Sequence, residues 1–237
     1  MIRPFEFKQF TICQDRCAMK IGTDGVLLGA WASLENDPDS ILDIGAGTGV
    51  IALMLAQRSL AETVDAIEIE EAAYEQCVEN FEASPWADRL FCYHAGLDEL
   101  VDSIEEPYDL IVSNPPFYTE EVSSGDGARD RARQNRSLPF EELVESVPKL
   151  LAPDGIFTTI IPYKAEDAFV LSAIHHGLFP SRITRVKGNP TSAVKRSLLE
   201  FRLEESDIAT SILIIEEGRH HYTDDYIALT KDFYKKM

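Results

Sequence analysis

The chain has 237 residues, an apolar share of 45% and a formal net charge of -19. That apolar share suffices for a packed core, while the acidic excess excludes a nonspecific coat on nucleic acid and leaves room only for local basic patches. No apolar run approaches the roughly 18 residues of a membrane span, and residues 1–10 carry no signal-peptide stretch, so a cytoplasmic protein without membrane contact is expected.

Residues 1–40 read as an N-terminal extension, in which Thr23-Asp24-Gly25 has the composition of an Asx-turn. A short apolar strand follows over 41–45, then Gly45-Ala46-Gly47-Thr48-Gly49, then an apolar helix over 50–58. Strand, glycine turn and helix in succession is the context in which glycines let a backbone turn sharply and approach a ligand. The spacing G-x-G-x-G departs from the dinucleotide pattern G-x-G-x-x-G. A strand over 64–69 carries Glu68, roughly twenty residues past the glycines, the offset of an acid that binds ribose hydroxyls. Asp43 sits at the edge of the first strand and is placed near the ligand, with capping as the plainer reading.

A helix over 71–83 and strands near 89–94 and 109–113 come next. The last of these runs into Asn114-Pro115-Pro116-Phe117. Prolines donate no ladder hydrogen bond, so the tetrapeptide lies at the strand's carboxyl end, where open α/β sheets place ligands. It offers a side-chain amide, a rigid carbonyl and an aromatic face, a set suited to orienting a planar amine. Capping of a turn by Asn114 and burial of Phe117 in the core are the competing readings.

The segment 118–138 is polar, has little periodicity and reads as a substrate loop. It carries Arg129, Arg131, Arg133 and Arg136. Beyond it are a helix at 139–151, a strand at 155–161, a helix at 165–176 and two strands at 181–187 and 197–203 joined by Gly188-Asn189-Pro190-Thr191-Ser192. Residues 210–216 can add a short strand and 223–236 a terminal helix. The alternation specifies one α/β domain over 1–237, a mostly parallel seven-stranded sheet with helices on both faces and an antiparallel edge hairpin. A second basic cluster, Arg182, Arg185, Lys187, Lys195 and Arg196, falls on that hairpin. Cys13, Cys17, Cys77 and Cys92 match no common zinc spacing and are read as free thiols, and no metal is expected.

These residues resemble the class I S-adenosylmethionine-dependent methyltransferases, which have a Rossmann-like fold, and within them the bacterial tRNA1(Val) adenine-37 N6-methyltransferases. The resemblance runs through Ile21–Ala32, Leu42–Gly49, Ile67–Glu70, Ser113–Phe117, Ala132-Arg133 and Lys195–Phe201. It implies S-adenosylmethionine as cofactor, held by Asp24, Asp43, Gly45, Gly47, Gly49 and Glu68. It implies catalysis at Asn114, Pro115 and Phe117 on an adenine of tRNA, and contacts to RNA from Arg129, Arg131, Arg133, Arg136, Lys195 and Arg196, in a monomer. One position departs from the family. An acid normally follows the third strand beside the cofactor's adenine, and here Gly96 stands in its place. Either Asp98 reaches back or backbone groups alone read the ring.

Other functions share the tetrapeptide. Methylation of a protein glutamine amide usually goes with tyrosine at the fourth position and a helical N-terminal domain, whereas this chain has Phe117 and only forty residues before the first strand. Another RNA or DNA base, and a noncatalytic cofactor-binding RNA scaffold, are the remaining alternatives.

Overall fold

The computed structural model describes residues 3–104, 106–116, 138–219 and 221–236. The chain opens with a short antiparallel hairpin, β1 (Phe5–Glu6) and β2 (Thr11–Ile12), and helix α1 (Thr23–Trp31). An alternating series follows: β3 (Ser40–Ile44), α2 (Val50–Arg58), β4 (Thr63–Ile67), α3 (Glu71–Glu82), β5 (Leu90–Tyr93), α4 (Leu97–Ser103) and β6 (Tyr108–Ser113). After the segment outside the description come α5 (Phe140–Leu150), β7 (Leu151–Pro162), α6 (Glu166–His175), β8 (Phe179–Lys187), β9 (Val194–Arg202) and β10 (Ala209–Ile214). A small hairpin, β11 (Glu216–Gly218) and β12 (His221–Tyr222), leads into α7 (Asp224–Thr230).

The main sheet has eight strands in the order β10-β8-β9-β7-β6-β3-β4-β5. Strands β7, β6, β3, β4 and β5 are mutually parallel, and β9 runs antiparallel to both β7 and β8. One more strand is present than the seven expected, because β10 pairs parallel with β8 and covers the outer side of the hairpin. The hairpin therefore lies one strand in from the edge.

Alternation along the strands sorts side chains into two cores. Ile41, Leu110, Val112, Ile156 and Ile160 face α1, α2, α3 and α7, whereas Leu42, Ile44, Ile111, Phe157 and Ile161 face α4, α5 and α6. Helix α5 presents Leu143, Val144, Val147 and Leu150 to the second core, the spacing of one apolar helical face.

Helix α1 corrects the turn expected around Asp24. Its residues from Gly25 to Trp31 are all buried, so it has no polar face. Gly25 and Gly29, one turn apart, meet α2 closely: a Cβ at Gly25 would lie 3.3 Å from Val50 Cγ1, and one at Gly29 would lie 2.9 Å from Met54 Sδ. Arg58 closes the helix by donating to the carbonyls of Gly29 at 2.8 Å and Ala32 at 2.9 Å. Along with Phe7, Phe10 and Ile12 of the first hairpin, α1 belongs to the same core as α2.

Candidate active site

The carboxyl ends of β3, β4, β5 and β6 meet at one edge of the sheet. After β3 the backbone turns at Gly45, Gly47 and Gly49, whose φ values are +73°, +56° and +77°. The N–H groups of Gly45 and Ala46 donate to the Ile67 carbonyl at 3.0 and 3.1 Å, tying the loop to the end of β4. The three glycines have different reasons to be glycine. A Cβ at Gly49 would fall 2.5 Å from the Phe81 ring and 2.8 Å from Cys77 Sγ, so this position is closed by packing. At Gly45 and Gly47 a Cβ would meet nothing within 4 Å, leaving an open cradle lined by backbone.

Glu68 spans the cradle and the next helix. Its Oε2 accepts from Gly47 N–H and its Oε1 from Glu70 N–H, both at 2.9 Å. Each oxygen keeps a further lone pair for a hydroxyl donor. Asp43 points toward α2, and its Oδ2 accepts from Ala52 N–H at 3.1 Å. Its Oδ1 is buried and accepts no hydrogen bond among the described residues. Complete burial, with the Glu68 carboxylate nearby, pushes the Asp43 carboxyl up to about 7 from the usual 3.8.

At the end of β5 the chain enters α4 with Gly96 as the residue before its first turn. The Asp98 carboxylate folds back so that a Cβ at Gly96 would lie 2.6 Å from its Oδ1. Asp98 thus places a carboxylate beside the Gly96 backbone, next to the position that lacks the acid. Ile69, which sequence reasoning passed over, is exposed, and its Cδ1 lies 3.9 Å from the same Cβ position. Its place directly after Glu68 was the available signal. An exposed isoleucine at a strand end beside a carboxylate is suited to cover one face of a flat ring.

Asn114 follows β6. Ser113 pairs in register with Ile44 and its hydroxyl donates to the Ile44 carbonyl at 2.9 Å. Asn114 is therefore brought level with the start of the glycine loop. Its Oδ1 is buried and accepts no hydrogen bond among the described residues, an acceptor ready for an incoming donor. Its Nδ2 lies 3.9 Å from a Cβ built on Gly25, an ordinary contact distance that puts the start of α1 beside this site. Pro115 beside it is buried.

Asp24 lies in the first turn of α1, and its Oδ2 accepts from Arg196 Nε at 2.7 Å. Arg196 is thus held next to the amide site, while Lys195 is exposed and forms no ion pair among the described residues. The remaining arginines of the second basic cluster serve the fold: Arg182 pairs with Glu200 at 2.7 Å and covers Trp31, and Arg185 pairs with Glu166 at 2.6 Å. Asp109 stands at the opposite end of β6, where its carboxylate accepts from the N–H groups of Asp39 and Ser40. Phe117, Arg129, Arg131, Arg133 and Arg136 lie outside the described residues.

Sequence reasoning also missed the N-terminal loop. Asn80 of α3 accepts from Cys13 N–H at 2.8 Å and donates to the carbonyls of Cys13 and Thr48, both at 2.9 Å, which ties the N-terminal segment to the glycine loop.

The cradle, the carboxylates and the amide fit a ligand with a cationic centre, a ribose and a flat ring, set beside a planar amine. Comparison with known proteins agrees. A family model described as methyltransferase small domain matches residues 26–174. A tRNA1(Val) (adenine(37)-N6)-methyltransferase of Flavobacterium johnsoniae is 60% identical over 98% of this chain and 100% of its own length. The protein of the same name from Bacteroides fragilis is 46% identical over 98% of each chain. Among solved structures, a predicted O-methyltransferase from Agrobacterium tumefaciens superposes with a TM-score of 0.69 at 20% identity, covering 89% of this chain and 96% of that one, a likeness of fold. The chain belongs to the tRNA1(Val) (adenine(37)-N6)-methyltransferase family, within the methyltransferases that carry the small domain.

Proposed function

We propose that the protein transfers a methyl group from S-adenosylmethionine to N6 of an adenine in tRNA, at position 37 of tRNA1(Val). The observation that carries this reading is the buried Asn114 Oδ1 at the end of β6, without a hydrogen-bond partner among the described residues and level with an open glycine cradle on β3. Relatives that carry this activity in their names match nearly the whole chain.

S-adenosylmethionine supplies an electrophilic methyl group bonded to a sulfonium sulfur. Gly45 and Gly47 admit the cofactor's backbone-facing side, Glu68 accepts from its ribose hydroxyls, and Ile69 with Asp98 frames its adenine. Asp24 supplies negative charge toward its methionine end, and Asp43 lies near the cofactor at the end of β3, where it accepts from Ala52 N–H. On the other side of the methyl group, the Asn114 Oδ1 and the Pro115 carbonyl accept the two hydrogens of the adenine amine. An adenine N6 lone pair is delocalised into the ring. Two acceptors out of the ring plane favour a more tetrahedral nitrogen and aim its lone pair at the methyl carbon, so alignment supplies much of the rate. Phe117 stacks on the base, which leaves its own stack to enter the site.

Nucleosides from tRNA incubated with the protein and isotopically labelled S-adenosylmethionine, resolved by mass spectrometry, test this directly. Labelled N6-methyladenosine is expected. Label in a different nucleoside, or none in RNA and some in a protein glutamine, would replace this reading.

A further inference from the structure

Beside Thr23, the residue before Asp24, there is a cavity of about 340 Å³ that the chemistry above does not use. Its aromatic lining comes from the two ends of the chain: Phe5 of β1, and Tyr222, Tyr226 and Tyr234 in and around α7. The rings of Tyr222 and Tyr226 are 5.2 Å apart and tilted by 37°, and those of Phe5 and Tyr234 are 6.2 Å apart and edge-on. Tyr226 is buried, whereas Tyr222 is 37% exposed and presents its ring to an entering group.

Two independent features put this cavity on the same edge of the sheet as the amide site. Gly22 and Thr23, which line it, precede by less than one helical turn the Gly25 that packs against Asn114. Ile215 and Glu216, which also line it, directly follow β10, and β10 is parallel to β8 and so runs in the same sense as β6 and β7. The strand order then lays out the edge: the cradle on β3 and β4, Asn114 on β6, Arg196 on β9 opposite Pro162, and the cavity past β10. With the cofactor on the β3–β5 half, the polynucleotide has the β7–β10 half to lie on.

The chemistry of the lining selects a base over a phosphate. Glu216, one of the lining residues, carries a carboxylate, a group that repels an anion and accepts N–H hydrogens. The start of α1 has no side-chain cap, so its first N–H groups are donors for a base carbonyl or ring nitrogen. The volume is at the small end of ligand pockets, room for one flat ring system rather than a peptide. At the rim, Lys236 is exposed and forms no ion pair among the described residues, a place for the neighbouring phosphate.

We propose that this cavity is a second base subsite, which takes the nucleobase of a nucleotide flanking the methylated adenine and stacks it on Tyr222, with Lys236 on the adjoining phosphate. The subsite rests on the reading of the chain as a tRNA adenine methyltransferase. It gives an acidic protein a way to hold a splayed-out loop at two points.

The test uses full-length tRNA1(Val), unaltered or with one abasic nucleotide placed in turn at each position flanking adenine 37. Dissociation constants are measured for the wild type, Tyr222→Ala and Tyr222→Phe, along with methyl transfer at saturating RNA. Tyr222→Ala should weaken binding of unaltered RNA about 5- to 150-fold, the range of base–aromatic stacking, and Tyr222→Phe should bind like the wild type. One abasic position should weaken the wild type by a similar factor and have no added effect on Tyr222→Ala. Turnover at saturation should stay near that of the wild type. Wild-type affinity in Tyr222→Ala, or abasic penalties equal in both proteins, would overturn the subsite while leaving the methyl transfer reading intact. A wild type that methylates no adenine in the unaltered RNA would overturn that reading and the subsite with it.

Discussion

Asn114 Oδ1 and Asp43 Oδ1 are both buried acceptors without a donor among the described residues, and they imply different experiments. An unmet acceptor costs on the order of 1–3 kcal/mol, a cost that a bound amine removes at Asn114. Because the contact strengthens as the amine becomes tetrahedral, Asn114→Ala should lower kcat about 100-fold or more while the dissociation constant for the cofactor stays within about twofold. Single-turnover transfer with a parallel calorimetric titration measures both, and near-normal turnover would refute the amine-orienting role. Asp43 is read through pH. Its carboxyl is raised from the usual 3.8 to about 7, so the folded protein holds a proton that the unfolded chain has released between those values. Stability from this group is therefore full below about pH 4 and falls as pH rises toward 7, by up to about 4 kcal/mol. Asp43→Asn stays neutral throughout. The difference between variant and wild type in urea denaturation should move in the variant's favour from pH 4.5 to 7.5, and a pH-independent difference would place the carboxyl at its ordinary value.

At the scale of elements, the glycine loop and α1 show how glycine acts in two ways. Gly49 combines a φ of +77° with a Cβ position already taken by Phe81 and Cys77. Gly49→Ala should cost about 2–4 kcal/mol, from left-handed strain and overpacking together, read as a lower urea midpoint. The same change at Gly47 meets open space and should cost only the backbone strain. Equal losses at the two positions would show that packing against α3 does not matter. The loop itself was legible in the sequence, because strand, glycine turn and helix follow in order and the boundaries of α2 are Val50 and Arg58 as read. Asn114-Pro115-Pro116 was legible because prolines mark where β6 stops. Helix α1 was not, since Gly25 and Gly29 weaken helix propensity and the absence of a polar face removes the amphipathic signal. What makes it a helix is the close fit on Val50 and Met54, a tertiary cause. The early start of β7 at Leu151, against the expected 155, was hidden by Pro153 and Gly155, which fall at an irregularity in its pairing with β6. The hairpin of β1 and β2 has two residues per strand, too few for a period to appear.

Over the whole molecule, the net charge of -19 means that RNA must be held by few cations in chosen places. The two basic clusters read from the sequence differ here. Arg182 and Arg185 are committed to Glu200 and Glu166, whose side chains are nearly buried, so they anchor β8 to its neighbours. We propose that RNA contacts fall to the arginines that follow Phe117 in sequence, with Lys195 and Arg196 at the hairpin. Changing Arg131 and Arg133 together to alanine should weaken tRNA binding, lower the dependence of log affinity on log salt by about 2 and leave cofactor affinity alone. A double variant with the parent's affinity and slope would move the RNA contact to Lys195 and Arg196. The most direct measurement of the whole account compares two full-length tRNA1(Val) transcripts, one with adenine at position 37 and one with guanine there, each incubated with the protein and labelled S-adenosylmethionine. Label should enter the first transcript as N6-methyladenine and be absent from the second. Equal labelling of both transcripts, or of neither, would contradict it.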